Sequence, residues 1–278
     1  MCSEMGSNFL PAYFVGPDWI DALLQEYEEE VKEEARWPIL LLQSAGRKLI
    51  WHLCSRLRVN GKGVPGSACR LMERFFSRHI QNYLRDHDEW ERYRTSLASQ
   101  YYLVAVSCIQ LAAKMTDLTA PLTASLVRLT LLREGIVHSK AEIVRMEFQV
   151  YHTLDFRIPL WTSLEAAEFL AINVGIRTPS ILEAVALIIN LSEFNRDLLE
   201  LHMRNWTEQC NTPGSSASST VRCVLRTLHI CAGGVCAAAR FMRASANLYH
   251  SLASLTRTTP THIKAISDTI LNHIIPEK

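Results

Sequence analysis

Two charged side chains stand on stretches of helical spacing that are otherwise apolar. Lys114 closes the run Leu111-Ala112-Ala113-Lys114, and Glu147 sits inside Ile143-Val144-Arg145-Met146-Glu147-Phe148-Gln149-Val150. Each has an ordinary reading alone: Lys114 as a favourable cation at a helix C-terminus, Glu147 as an intrahelical partner of Arg145 or a solvated position. Together they could grip the end of another protein's helix, because an ammonium satisfies orphan C-terminal carbonyls and a carboxylate accepts from free amides. That is recognition chemistry, not bond making.

Catalytic and cofactor chemistry finds no foothold. There is no Walker loop, no Gly-x-Gly-x-x-Gly and no His-Glu-x-x-His, and Gly61-Lys62-Gly63 lacks the upstream glycine and the Ser/Thr of a phosphate loop. The ten histidines are scattered without metal-like pairing, and none of the eight cysteines forms a C-x-x-C; Cys231 and Cys236 lie among Ala and Gly, a packing context. The expectation is a non-enzyme with no metal and no cofactor, its thiols reduced. The sequon Asn205-Trp206-Thr207 carries no weight without secretion.

Over 278 residues, 48% hydrophobic and 21% charged, Lys plus Arg number 29 against 28 acids. That balance excludes disorder throughout and a global basic field for nucleic acid or an anionic membrane. No apolar run is read as a membrane span, and residues 1–10 lack a signal core, so the chain is expected to be intracellular.

The elements that must position Lys114 and Glu147 are helices, since apolar residues recur at helical spacing nearly everywhere and strand-like alternation is scarce. Pro17-Asp18 opens an acidic leader, with Trp19, Ile20, Leu23, Leu24 and Tyr27 on one face, stopped by Trp37-Pro38. Helices are expected over 39–57, 65–84, 96–115, 121–133 and 139–153, with 86–94 a charged loop. The 96–115 segment, apolar around most of its circumference and rich in small residues, should be the central core helix. A second series covers 163–174, 179–194, 220–242, 244–256 and 260–275. Its third member is again Ala-rich, with Cys236-Ala237-Ala238-Ala239-Arg240 echoing Leu111-Ala112-Ala113-Lys114, which points to a tandem repeat. Residues 210–220 read as a flexible excursion. The domains are then a leader, 1–37, and two units, 38–160 and 161–278.

The run Ala105 to Lys114, followed by Ile143-Val144-Arg145-Met146-Glu147 and by Leu154-Asp155-Phe156, resembles the cyclin box. Ala68-Cys69-Arg70-Leu71-Met72-Glu73-Arg74-Phe75 is similar to its second-helix pattern ending Asp-Arg-Phe. The resemblance implies an all-α cyclin-like fold of a leading helix and two five-helix boxes, the second divergent. It implies a cyclin-dependent kinase as partner, gripped by Lys114 and Glu147 with Leu111, Tyr151 and Phe156 as apolar neighbours. It also places Arg47 as the first-helix arginine pairing with Glu73. Within the family, the short leader and divergent second half resemble members with a meiotic crossover role, which implies recombination factors as further partners and a nuclear, also cytoplasmic, location.

The chain departs from the family pattern in two places. Lys114-Met115-Thr116-Asp117 replaces Lys-Phe-Glu-Glu, which implies a weaker grip on a kinase. Gly46-Arg47-Lys48-Leu49-Ile50-Trp51 replaces Met-Arg-Ala-Ile-Leu, which implies loss of the cleft that recruits Arg-x-Leu substrates. Two rivals therefore stand beside kinase regulation: a kinase-independent meiotic scaffold for ubiquitin-ligase or repair factors, and nucleic-acid binding. The latter rests on residues 209–267, which hold no acid but include Arg222, Arg226 and Arg243, against the plainer reading of a solvated or partner-facing surface.

Overall fold

The structure is a computed structural model that describes residues 17–36, 42–81, 87–116, 122–210, 225–244 and 248–275. Every regular element among them is helical. The chain divides into two units, one of Glu28–Thr162 and one of Ser163–Lys278 together with the chain up to Tyr27. The leader helix α1 (Pro17–Arg36) thus contributes residues to both.

The first unit holds α2 (Ser44–Leu57), α3 (Val64–Gln81), α4 (His87–Met115), α5 (Ala124–Arg133) and α6 (Lys140–Thr153). Helix α4 is the hub, packed by α2, α3 and α6. Its run Leu103–Ala113 is buried, and the small Ala105, Ser107, Cys108, Ala112 and Ala113 let neighbouring backbones approach. Thr95–Met115 is long and apolar enough to cross a membrane by length and composition, contrary to the sequence expectation; 61% of its most apolar window lies inside the unit. Core burial accounts for that apolarity here. Helix α6 starts at a reciprocal cap: Glu142 N donates to Ser139 Oγ at 3.2 Å, and Ser139 N to Glu142 Oε2 at 2.7 Å.

One ion pair sits at the centre of this unit. Arg47 is 0% exposed and Glu73 2%. Arg47 Nη2 donates to Glu73 Oε1. Leu42 N donates to the same carboxylate oxygen at 3.0 Å, while Arg47 Nε donates to Leu42 O at 3.2 Å. The pair fixes α2 on α3 and ties down the strand of chain that enters α2.

The second unit holds α7 (Ser163–Asn173), α8 (Pro179–Phe194), α9 (Arg196–Cys210), α10 (Thr227–Phe241), α11 (Tyr249–Leu255) and α12 (Pro260–Thr269), the last continuing into a π-helical turn, Ile270–Ile274. Helix α10 is buried continuously from Thr227 to Ala239 and packs against α7, α8 and α12. Gly233 permits this, because a Cβ there would overlap the Ile266 side chain. Ser163 Oγ donates to Glu193 Oε1 at 2.5 Å, and Arg196 Nη2 to Leu225 O at 3.0 Å, with Arg196 Nη1 3.7 Å from Glu193 Oε2. Cys54, Cys69 and Cys108 in the first core, and Cys231 and Cys236 in the second, are buried thiols.

Two expectations about the elements change. The charged segment expected as a loop is helical from His87 onward, extending α4 at its start. Among the described residues the second series has six helices rather than five: α9 lies where none was expected, which makes the Ala-rich helix the fourth of those described.

Removing Glu73 leaves a guanidinium buried without its carboxylate. Glu73→Ala is expected to cost about 3–5 kcal/mol in urea denaturation. Gly233→Ala is expected to cost roughly 1–3 kcal/mol through overpacking against Ile266.

Candidate protein-docking site

Lys114 ends α4 and Glu147 stands at the middle of α6, two helices that pack on each other. Their side chains meet: Lys114 Nζ lies 2.6 Å from Glu147 Oε1. Lys114 is 55% exposed, whereas Glu147 is 14% exposed, so Glu147 is neither solvated nor a partner of Arg145 as its ordinary reading has it. Each charge satisfies the other in the free chain, and a docking partner must offer both of them replacement groups.

Apolar side chains surround the pair. Met115 is exposed beside Lys114, and Val144 and Phe148 are exposed on α6. Helix α6 buries Ile143, Met146 and Val150, a stripe that sends Val144 and Phe148 outward. Phe156 is 51% exposed, with its ring edge-on to Tyr151 at 4.9 Å and 6.3 Å from Phe148. Tyr151 packs partly on the core, and Leu111 lies within it, so Leu111 supports the face from beneath. Val144 and Phe148 were missing from the sequence expectation. The 143-146-150 spacing of the buried stripe was the signal that could have revealed them.

The basic stretch has a different environment from the one expected. Arg222 lies outside the described residues. Arg226 is half-buried: its Nη1 donates to Tyr27 Oη at 3.0 Å, and its guanidinium lies over the Tyr27 ring at 5.6 Å. Arg240 pairs with Asp268, one residue beyond the acid-free run. Arg243 is exposed at the end of α10, in a left-handed conformation with φ 55. The run lacks acids in sequence, but folding supplies Asp268 and the Tyr27 oxygen to two of its arginines.

Tyr27 Oη also lies 3.1 Å from His229 Nε2, and the His262 ring stands 5.0 Å from His229. Burial, then His262 and Arg226, hold His229 down to about 3, so it is neutral and shares a hydrogen bond with the tyrosine through Nε2. Burial and the neighbouring Glu165 push Glu168 the other way, up to about 7. Among the described residues no three His, Cys, Asp or Glu side chains cluster as metal ligands would.

The first unit is thus all-helical, with a small-residue hub helix, a buried Arg–Glu pair between the two helices that follow the leader, and a Lys–Glu pair that joins the hub to its last helix. Residues 47–159 match the family model of the cyclin N-terminal domain. The chain is 29% identical over 125 residues to human cyclin N-terminal domain-containing protein 1, covering 41% of this chain and 38% of that protein. Its mouse counterpart is 26% identical over 165 residues, covering 55% of this chain and 49% of that protein. The matched region thus spans less than half of these curated relatives.

His229 and Glu168 oppose each other. With His229 depressed to about 3, protons bind the unfolded chain first, so stability is lost as pH falls from 6.5. With Glu168 raised to about 7, protons bind the folded chain first, so stability is lost as pH rises from 4.5. The contributions largely cancel between 4.5 and 6.5. Glu168→Gln should unmask the histidine: unfolding free energy from urea titrations drops by roughly 1 kcal/mol between pH 6.5 and 5.5, more steeply than in wild type.

Proposed function

We propose that this chain is a non-enzymatic, cyclin-like regulatory protein that docks a cyclin-dependent kinase on the face built around Lys114 and Glu147. The observation that carries this reading is an exposed cation paired with a largely covered acid, set among Met115, Val144, Phe148 and Phe156, on a unit whose residues 47–159 match the cyclin N-terminal domain. Apolar surface supplies burial, and the two charges supply register at the end of a partner helix. Docking there would hold the kinase's regulatory helix where its glutamate pairs with the catalytic lysine, an allosteric action that needs no chemistry from this chain. We assign the activity to the nucleus, with cytoplasmic presence, and to meiotic recombination.

A second reading keeps the fold and replaces the kinase with recombination or ubiquitin-ligase factors. It is favoured by the end of α4: Met115 stands where the family pattern has an aromatic, and Thr116 is buried with its hydroxyl donating to Ala113 O at 3.1 Å, so it adds no acid to the face. Nucleic-acid binding loses support from Arg226 and Arg240, which are engaged within their own unit.

Lys114→Ala and Glu147→Ala should each cost about 2–5 kcal/mol of kinase binding, tens- to thousands-fold in Kd, because the partner's groups are left desolvated and unmatched. Breaking this pair in the free chain costs about 1–2 kcal/mol, more than a fully exposed pair because Glu147 is largely covered, so the melting temperature should fall far less than binding does. Co-purification of each variant with a panel of cyclin-dependent kinases, alongside thermal melts, checks both. If the double variant binds as wild type does, or wild type binds no kinase, the scaffold reading takes over.

A further inference from the structure

The turn that presents Phe156 is strained. Asp155 has φ 52 and Phe156 φ 59, two successive non-glycine residues in the left-handed region, the second an aromatic. Phe156 N donates to Tyr151 O and Arg157 N to Leu154 O, each at 3.0 Å, which closes the end of α6. Something outside the turn must hold it, and the groups that reach it come from Arg78 on α3. Arg78 Nη1 donates to Thr153 O and to Asp155 Oδ2, both at 2.9 Å. On its other edge Nε donates to Glu33 Oε1 of α1 at 2.8 Å, with Nη2 2.6 Å from the same oxygen. Arg74 donates to the second Glu33 oxygen. Arg78 is 10% exposed and Glu33 17%, so water screens their pairing far less than it screens a surface pair, whereas Asp155 is 71% exposed and the Thr153 carbonyl is the better shielded acceptor at the turn.

We infer that Arg78 is a positioning residue, a strut through which Glu33 of the leader helix sets the pose of Phe156 on the docking face. A guanidinium suits the task because its rigid fork meets a carboxylate on one edge and a carbonyl with a second carboxylate on the other; a lysine has no such geometry. The acidic leader is then part of the docking face's support, and whatever neutralises Glu33 loosens an aromatic two helices away. The importance of Phe156 for binding rests on the proposed docking function, but the mechanical coupling does not.

Hydrogen exchange of the full chain without any partner decides the coupling. Arg78→Met, Arg78→Lys and Glu33→Gln should accelerate exchange at the Phe156 and Arg157 amides about tenfold while leaving α4 core amides near their wild-type rates. Asp155→Gly, which relaxes the turn, should shrink the effect of Arg78→Met to under about twofold. Exchange at the two amides within about twofold of wild type in all three variants overturns the inference, as does uniform acceleration across the unit, which marks a merely structural role. With a kinase that binds wild type, Arg78→Met should weaken Kd about five- to tenfold alone and under about twofold in a Phe156→Ala background; additive losses overturn the strut. A wild-type chain that binds no kinase defeats the docking function and leaves the exchange result to decide the coupling.

Discussion

A charge buried in a protein interior must be paired, and the first unit meets that demand at its core with one pair. Arg47 cannot leave Glu73 without exposing both to an apolar core, so α2 has one seat on α3. The same carboxylate takes the Leu42 amide, and the arginine returns a bond to the Leu42 carbonyl. Entry chain, first helix and second helix therefore lock as one piece. Helix α3, fixed by that seat, carries Arg70 to the Trp161 carbonyl at 3.1 Å and Arg74 and Arg78 to Glu33. Breaking either partner of the pair would leave the other charge buried and unmatched, which holds the two helices to one register.

Helices were legible where periodicity and punctuation agree. Pro179 to Phe194 and Pro260 onward start at a Thr-Pro pair, and Ser139 with Glu142 spells a cap in sequence. Helix α9 escaped because charged and polar residues interrupt its apolar stripe, Leu199 and Met203, and because the Pro-Gly-Ser segment after it dominates the local composition. The start of α4 escaped for a related reason: a charged helix reads as a loop when no apolar face marks it. Lys114 and Glu147 stood out as charges in apolar runs, yet their mutual pairing depends on how α4 and α6 cross, which no local pattern encodes. The left-handed backbone at Phe156 left no trace, since an aromatic side chain does not favour it.

The short echo between Leu111-Ala112-Ala113-Lys114 and Ala237-Ala238-Ala239-Arg240 has a three-dimensional counterpart within each unit. Lys114 ends the first hub helix and meets Glu147 of α6; Arg240 lies near the end of the second and meets Asp268 of α12. Each unit also buries an arginine beside a glutamate, Arg47 with Glu73 and Arg196 with Glu193. The second cation is tied further, by a 3.3 Å bond to Ser267 Oγ, and Phe241 and Met242 stand exposed after it. Both units thus place a cation near the end of a buried, small-residue helix, and they differ most in what surrounds it.

The buried thiols give the molecule a built-in clock. Burial pushes Cys54 and Cys108 far above the ordinary thiol range and Cys236 up to about 12, so the nucleophilic thiolate is scarce in the folded state at neutral pH. An alkylating reagent can reach these sulfurs only when a core opens. The time each waits before modification records how often its own core opens, Cys54 and Cys108 for one unit and Cys236 for the other, so a single labelling time course reads the two cores side by side.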